Sequence, residues 1–313
     1  MNRFFNPHCP DMKRSLWNFF LWKIGHYDAS TPHPLPPKDF SYPALTQTFD
    51  PSSPSAIWIG HATFLIEIDG FHILTDPVWD EHCSPIPIRA LKRKHEAPIA
   101  LGDLPPIDCV LLSHNHYDHL DAKTVAHLHS FHPNLEWIVP IGLKRWFHRR
   151  GIEQVTEVNW WQAHEILGQA KITAVPSQHF SGRSLWDKNK SLWNGYVLER
   201  NGKRLYFTGD TGYNTIDFKA IGSHFPHMDL SLIPIGTYLP RAFMSPVHCS
   251  PWDAVEIHKD VKSRFSLGMH WKTFRLSEEP LDSPPYDLFC AMQEKNVPFE
   301  TFLPIEPGTQ VNW

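Results

Sequence analysis

The stretch LLSHNHYDHLD, residues 111–121, sets three histidines and two aspartates directly behind an apolar run. His114 and His116 are two positions apart, so in extended chain their side chains project to the same side, and Asp118 and His119 follow in a turn. Neutral imidazole is the commonest metal ligand, and imidazole with carboxylate suits zinc, iron or manganese better than magnesium or calcium. Crowded onto one strand end without a cation, such groups must repel or take up protons. One loop cannot complete the chemistry. Four-coordinate zinc needs more donors, and a dinuclear site needs about six or seven protein ligands around a shared water.

Three more donors stand just after apolar runs that read as strands: His179 in TAVPSQHF, Asp210 in LYFTGDTG and His270 in SLGMHW. Loops in that position line the mouth of a sheet. Taken singly, each matches an ordinary hydrogen-bonded histidine or aspartate. Taken with the first loop, they bring the candidates to seven.

The elements that must carry these loops follow from hydrophobic period and turn chemistry. Residues 56–77 alternate through Phe64, Ile66 and Ile68, break at Asp69-Gly70 and resume at Ile73 and Leu74, which is a hairpin pattern. Apolar runs at 107–112, 137–141, 172–175, 204–208 and 229–235 read as further strands. Helical spacing recurs at 122–130, 143–150, 251–263 and 286–296, and Asp121 is placed to cap the first of these. Strands joined both by hairpins and by helices imply a mixed, layered α/β fold. Residues 28–55 are rich in Pro, Ser and Thr and read as an extended arm, so the expected division is a segment over 1–55 laid on a single domain over 56–313.

Composition narrows the function. The 29 basic and 33 acidic side chains give a net charge of −4, which leaves no global footprint for nucleic acid. Twenty-one histidines exceed what packing needs, while 13 Trp and 29 Pro suit a loop-rich fold with broad aromatic surfaces. The five cysteines are scattered and form no CxxC pair, so a thiolate site or disulfide framework is not expected and a reducing, cytoplasmic setting is. No apolar stretch reaches the roughly 18–20 residues of a membrane span. KRSLWNFFLWKIGHY near the N-terminus has the basic flank of a signal peptide, but Lys23 interrupts it and no small-residue cleavage site follows. Leu16, Trp17, Phe19, Phe20 and Trp22 are instead expected to dock on the domain; contact with the inner face of a membrane, or a homodimer groove, are the other uses of such aromatics.

The motifs SHNHYDHLD, PSQHF, FTGDTGY and MHW occur in the order found in the metallo-β-lactamase superfamily. WIGHATFLIEIDGFHILTDPVW, PSQHFSGRSLWDKNKSLWNGYVL and LIPIGTYLPRAFM more narrowly resemble its branch of N-acyl-phosphatidylethanolamine-hydrolysing phospholipase D and bacterial relatives. The resemblance covers roughly residues 57–276. It implies an αββα sandwich: two mixed sheets face to face with helices outside. It also implies two zinc ions, one held by His114, His116 and His179 and one by Asp118, His119 and His270, with Asp210 bridging. The donor types also accept manganese or iron. A bridging hydroxide would attack a phosphodiester in line, and no side-chain nucleophile is needed. His248, in MSPVHCSP, falls where the family has an active-site histidine that is not a ligand, and it is expected to serve beside Asp118 in catalysis. Tyr238 and Arg241 are candidate phosphate contacts. His61 and Asp76 are expected to orient ligands. The basic run 89–95, RALKRKH, could meet an anionic head group or be plain solvated loop.

The substrate expected first is a phospholipid such as N-acyl-phosphatidylethanolamine. The same hydroxide can attack carbon, so a lactone or carboxylic ester is the alternative. A metal-binding or membrane-docking protein without turnover would need a missing ligand, and none of the seven is missing.

Overall fold

A computed structural model describes residues 3–9, 17, 21, 22, 24–30, 35–43, 53–166, 168–184 and 186–313. Two seven-stranded sheets organise these residues. The first contains β1 (Ser55–Gly60), β2 (Thr63–Ile68), β3 (Phe71–Thr75), β4 (Cys109–Leu111), β5 (Glu136–Pro140), β6 (Val155–Val158) and β14 (Gln310–Asn312), in the order β14-β1-β2-β3-β4-β5-β6. The second contains β7 (Ala163–Ile166), β8 (Ala170–Pro176), β9 (Asn194–Arg200), β10 (Lys203–Phe207), β11 (Leu230–Pro234), β12 (Ser266–Met269) and β13 (Phe302–Leu303), in the order β13-β12-β11-β10-β9-β8-β7.

Both sheets are antiparallel on one side and parallel on the other. Hairpins join β2 to β3 and β9 to β10, and pairing turns parallel from β3 to β6 and from β10 to β13. Parallel neighbours need crossovers. In the first sheet these are α1 (Ala122–Phe131) and α2 (Lys144–His148). In the second they are α3 (Thr215–His224), α4 (Arg241–Met244), α5 (Pro251–Asp260) and α6 (Ser283–Glu294).

The period of two in β2 sorts its side chains. Phe64, Ile66 and Ile68 enter the core shared with Val197, Leu205 and Phe207 of the second sheet, while Leu65 faces the other way, into the layer of Val125, Leu128 and Phe147 from α1 and α2. Burying Val125 and Leu128 contributes on the order of 2 kcal/mol each. On the far side, Phe218, Val255 and Leu288 bring α3, α5 and α6 onto the second sheet. The result is the expected αββα sandwich. Asp121 caps α1, accepting from Lys123 N at 3.0 Å and Thr124 N at 3.3 Å. Of the N-terminal aromatics, Trp22 is buried against Phe243 and Met244 and Trp17 is 64% exposed. Leu16, Phe19 and Phe20 lie outside the described residues.

Candidate metal centre

All seven candidate ligands sit on loops that follow strands, and both sheets contribute. The β4–α1 loop carries His114, His116, Asp118 and His119; the loops after β8, β10 and β12 carry His179, Asp210 and His270. The approach is close because residue 209 is glycine. Its φ is +59°, and a Cβ there would lie 2.6 Å from Ser113 Cβ and 2.8 Å from Asn194 O.

The donor atoms fall into two groups. His116 Nδ1 is 2.7 Å from His114 Nε2 and 3.2 Å from His179 Nε2. Asp118 Oδ2 is 3.5 Å from His119 Nε2 and 3.7 Å from His270 Nε2. Asp210 reaches both groups: Oδ2 is 3.2 Å from His119 Nε2 and 3.7 Å from His179 Nε2, and Oδ1 is 3.1 Å from His270 Nε2. Donors held about 2.0–2.1 Å from one tetrahedral ion stand roughly 3.3 Å apart, so these spacings are those of a ligand cage.

The opposite nitrogens are committed elsewhere, which fixes what each ring offers the centre. Asp76 accepts from His119 Nδ1 at 2.6 Å and is itself held by Ser113 N at 2.6 Å. His179 Nδ1 donates to Val247 O at 2.9 Å. His270 Nδ1 lies 3.1 Å from Thr237 Oγ1, and His114 Nδ1 lies 2.8 Å from Ser113 Oγ. His61 Nε2 is 2.9 Å from Asp118 Oδ2. Such partners set ring orientation and ligand basicity. Backbone strain concentrates here too: His61, Asp76, Thr237 and His270 all have φ between +31° and +65°.

The residues fit a cation. His119 Nε2, His270 Nε2 and Asp210 Oδ1 are buried without a hydrogen-bond partner, although they face one another at ion-pair distance. Buried polar atoms left so are expensive. Burial lowers the His119 imidazole, but Asp210, Asp118 and Asp76 hold it well above its ordinary value. Against the same effect of burial, Asp210 pushes His270 up to about 9. Burial pulls His179 down to about 3 and, with the charge of His119, sends His114 well below its ordinary value. Burial would raise Asp210, yet His119 and His270 keep it well below the usual carboxylate range. Protons on His119 and His270 thus stand in for the positive charge that a metal brings, and metal binding displaces them.

Above the carboxylates lies a cavity of about 280 Å³. Its polar lining includes Asp118, Asp210 and His248; its apolar lining includes Trp22, Phe180 and Leu276. His248 is 8% exposed, with Nδ1 3.8 Å from Asp210 Oδ2. Tyr238 and Arg241, expected at the phosphate, are engaged elsewhere and do not line this cavity. Tyr238 is fully buried and its hydroxyl donates to Asp287. Arg241 donates to His248 O at 3.0 Å and to Asp253 Oδ2 at 2.6 Å. Asp253 closes the capping box of α5 with Ser250, so Arg241 pins the His248 loop to that helix. In the basic run, Arg93 donates to Val78 O at 2.7 Å and His95 meets Thr273 Oγ1 at 2.9 Å, so part of it ties this loop to the segments after β3 and β12 instead of facing solvent.

Residues 72–271 match the family model described as a beta-lactamase superfamily domain. N-acyl-phosphatidylethanolamine-hydrolyzing phospholipase D 1 of Caenorhabditis elegans is 41% identical over 240 residues, which is 74% of this chain and 67% of that protein. The chain belongs to the metallo-β-lactamase superfamily, in the branch of that phospholipase D. The mitochondrial enzyme of the same name from Saccharomyces cerevisiae is 36% identical over 71% of this chain and 48% of its own length. Among solved structures, the metallo hydrolase Igni18 of Ignicoccus hospitalis shares the fold with a TM-score of 0.62 at 21% identity, over 83% of this chain and 98% of its own. The protein is a metal-dependent hydrolase. Among the described residues, no helix is long and apolar enough to cross a membrane.

Two supports of this metallo-β-lactamase site escape sequence reasoning. Asn6 is 5% exposed; its Nδ2 donates to His179 O at 2.8 Å and its Oδ1 accepts from Trp193 Nε1 at 3.1 Å. Arg183 sends Nη1 to Asn115 O at 3.0 Å and Leu120 O at 2.6 Å, and its guanidinium stacks 3.8 Å over Tyr117. It therefore clamps the ligand loop from both ends. Only the tertiary fold brings either residue to its target.

Proposed function

We propose that this chain is a dinuclear zinc phosphodiesterase that cleaves a phospholipid of the N-acyl-phosphatidylethanolamine kind in the phospholipase D manner. The observation that supports this most is Asp210, placed between a group of three histidines and a group of Asp118, His119 and His270. In this reading His114, His116 and His179 hold one ion, Asp118, His119 and His270 the other, and Asp210 both. When bound, the pair supplies an activated water and polarises the phosphoryl group.

The chain's own residues supply the rest. His248, at the cavity wall beside Asp210, would hand a proton to the departing alkoxide, and Asp118, which would help hold the second ion, would orient the attacking water. Arg241 sets the His248 main chain, and Tyr238 with Asp287 buttresses the loop of Thr237. The apolar wall of Trp22, Phe180, Met244 and Leu276 suits the aliphatic part of an amphiphile and excludes water from the reacting end. Residues 56–313 act as one hydrolase unit, and the described part of 1–55 packs on it through Asn6, Trp22 and Tyr42. The scattered cysteines, none of which pairs with another in a disulfide, suit a reducing, cytoplasmic setting with peripheral contact to the membrane that holds the substrate. Exposed aromatics such as Trp17 would serve that contact or a homodimer.

Metal analysis of purified protein should return two zinc ions per chain. The protein should hydrolyse bis(p-nitrophenyl) phosphate and N-acyl-phosphatidylethanolamine. His114→Ala should lose metal and turnover together; His248→Gln should keep its metal and lose turnover. Metal-replete protein that opens lactones but no phosphodiester would overturn the reading.

A further inference from the structure

A surface outside the metal centre is strongly positive in a chain of net charge −4. Lys144, Arg145 and Arg149, on or next to α2, line a shallow groove with Lys190 from the loop after β8. Among the described residues none of the four makes an ion pair. His148, in the same groove, is 3.5 Å from Glu153. Glu157 is the one carboxylate among the described lining, and its Oε1 is occupied by Gly142 N at 2.8 Å and Lys144 N at 2.7 Å. Like charges gathered without counter-charges repel, and a fold that keeps them together has positive potential to offer a partner.

Apolar side chains border the same patch. Trp186, in the loop that also carries Lys190, is 78% exposed. Phe5 is 71% exposed, and the strap that carries it is tied to this loop, with Phe4 N donating to Asn189 O at 2.9 Å and Asn189 Nδ2 returning to Phe4 O at 3.1 Å. The loop begins at Gly182, which lines the cavity over Asp118, so the patch adjoins the mouth of the site.

We propose that Lys144, Arg145, Arg149 and Lys190, with Trp186 and Phe5 as wedges, form a docking face for an anionic phospholipid bilayer. Cations suit anionic head groups, and exposed aromatic rings settle at the level where head groups meet acyl chains. Single-stranded nucleic acid can also stack its bases on such rings, and acidic proteins can pack on them, so both are competitors that the test must exclude. The choice of bilayer rests on the phospholipid reading above; the segregated charge does not. Docking on this face holds the cavity mouth against the lipid and selects anionic membranes whatever the charge of the hydrolysed lipid.

The full chain is sedimented with vesicles of phosphatidylcholine alone and with vesicles containing about 30% phosphatidylglycerol. Binding is expected only to the charged vesicles, falling steeply from about 0.05 to about 0.5 M salt. Lys144→Gln/Arg145→Gln/Arg149→Gln should weaken it at least about tenfold, and Trp186→Ala several-fold, with hydrolysis of soluble bis(p-nitrophenyl) phosphate unchanged in both. Equal binding to both vesicles overturns the proposal. So does a triple variant that binds as the parent does, or a parent that prefers polyadenylate or polyglutamate to the charged vesicle. Inactivity toward the soluble diester, with charged-vesicle binding intact, overturns the activity reading and leaves the docking face standing.

Discussion

Asn6 and His179 are 173 residues apart in sequence and joined by a 2.8 Å hydrogen bond from the Asn6 amide to the His179 carbonyl. The oxygen of the Asn6 side-chain amide takes the Trp193 indole N–H at 3.1 Å. Asn6→Ala removes the donor to the buried His179 carbonyl, at a cost of about 1–3 kcal/mol, while the Trp193 indole keeps its bond to Ser177 O at 2.9 Å, and the change frees the loop that aims His179. Zinc affinity measured by chelator competition should fall by roughly tenfold or more, while Asn6→Gln rescues little because the longer arm cannot reach both partners.

Asp76 is fully buried and accepts from His119 Nδ1 at 2.6 Å. An amide in its place keeps the shape and removes the charge that makes His119 a strong donor. Asp76→Asn should lower metal affinity by about 10–100-fold with far-ultraviolet circular dichroism unchanged. The cobalt-substituted protein should show a shifted ligand-field spectrum, which a purely structural role would not produce.

At Gly209 the loop after β10 packs directly against Ser113, at the start of the ligand loop of the first sheet. Gly209→Ala meets Ser113 Cβ at 2.6 Å and Asn194 O at 2.8 Å, neither of which can yield without moving a ligand loop. The change should cost about 2 kcal/mol or more, read as a lower midpoint in urea, and should reduce metal content as well.

His258, in α5, is 6% exposed, rests against Phe302 and has Nδ1 2.8 Å from Ser266 Oγ. Burial pushes its pKa from the ordinary 6.5 down to about 4. The unfolded chain then binds a proton that the folded one refuses. Its contribution is fully present above the unfolded value of 6.5, is lost as pH falls toward about 4 and is constant below that. The loss amounts to about 3 kcal/mol. Urea unfolding at pH values on either side of that window should show a smaller pH dependence in His258→Gln than in the parent, even though the variant is less stable at neutral pH.

The ligand set was legible because metal chemistry writes itself in residue types. His114, His116, Asp118 and His119 crowd one loop, and each of the other donors follows an apolar run. The hairpin at Asp69-Gly70 and the cap at Asp121 were equally local and equally readable. Helix α3 was hidden by Gly222, which packs so tightly on α5 that a Cβ would sit 1.9 Å from Asp260 O. Strand β6 was too short for a periodic signal, and β14 finds its place only by pairing with β1 from the other end of the chain. Tyr238 and Arg241 have the side chains of phosphate binders, but their targets Asp287, Asp253 and the His248 carbonyl depend on tertiary contacts. Type and spacing name the donors; only packing says which neighbours turn inward to hold them.

Because the ligand loops rise from both sheets, neither sheet owns the centre. During synthesis the β4–α1 loop emerges early with four donors, while Asp210 and His270 are still to come. That early loop is a half-built chelator exposed to whatever ions the cell supplies. The centre is therefore complete only when both sheets are in place, and its integrity reports on the packing of the whole sandwich.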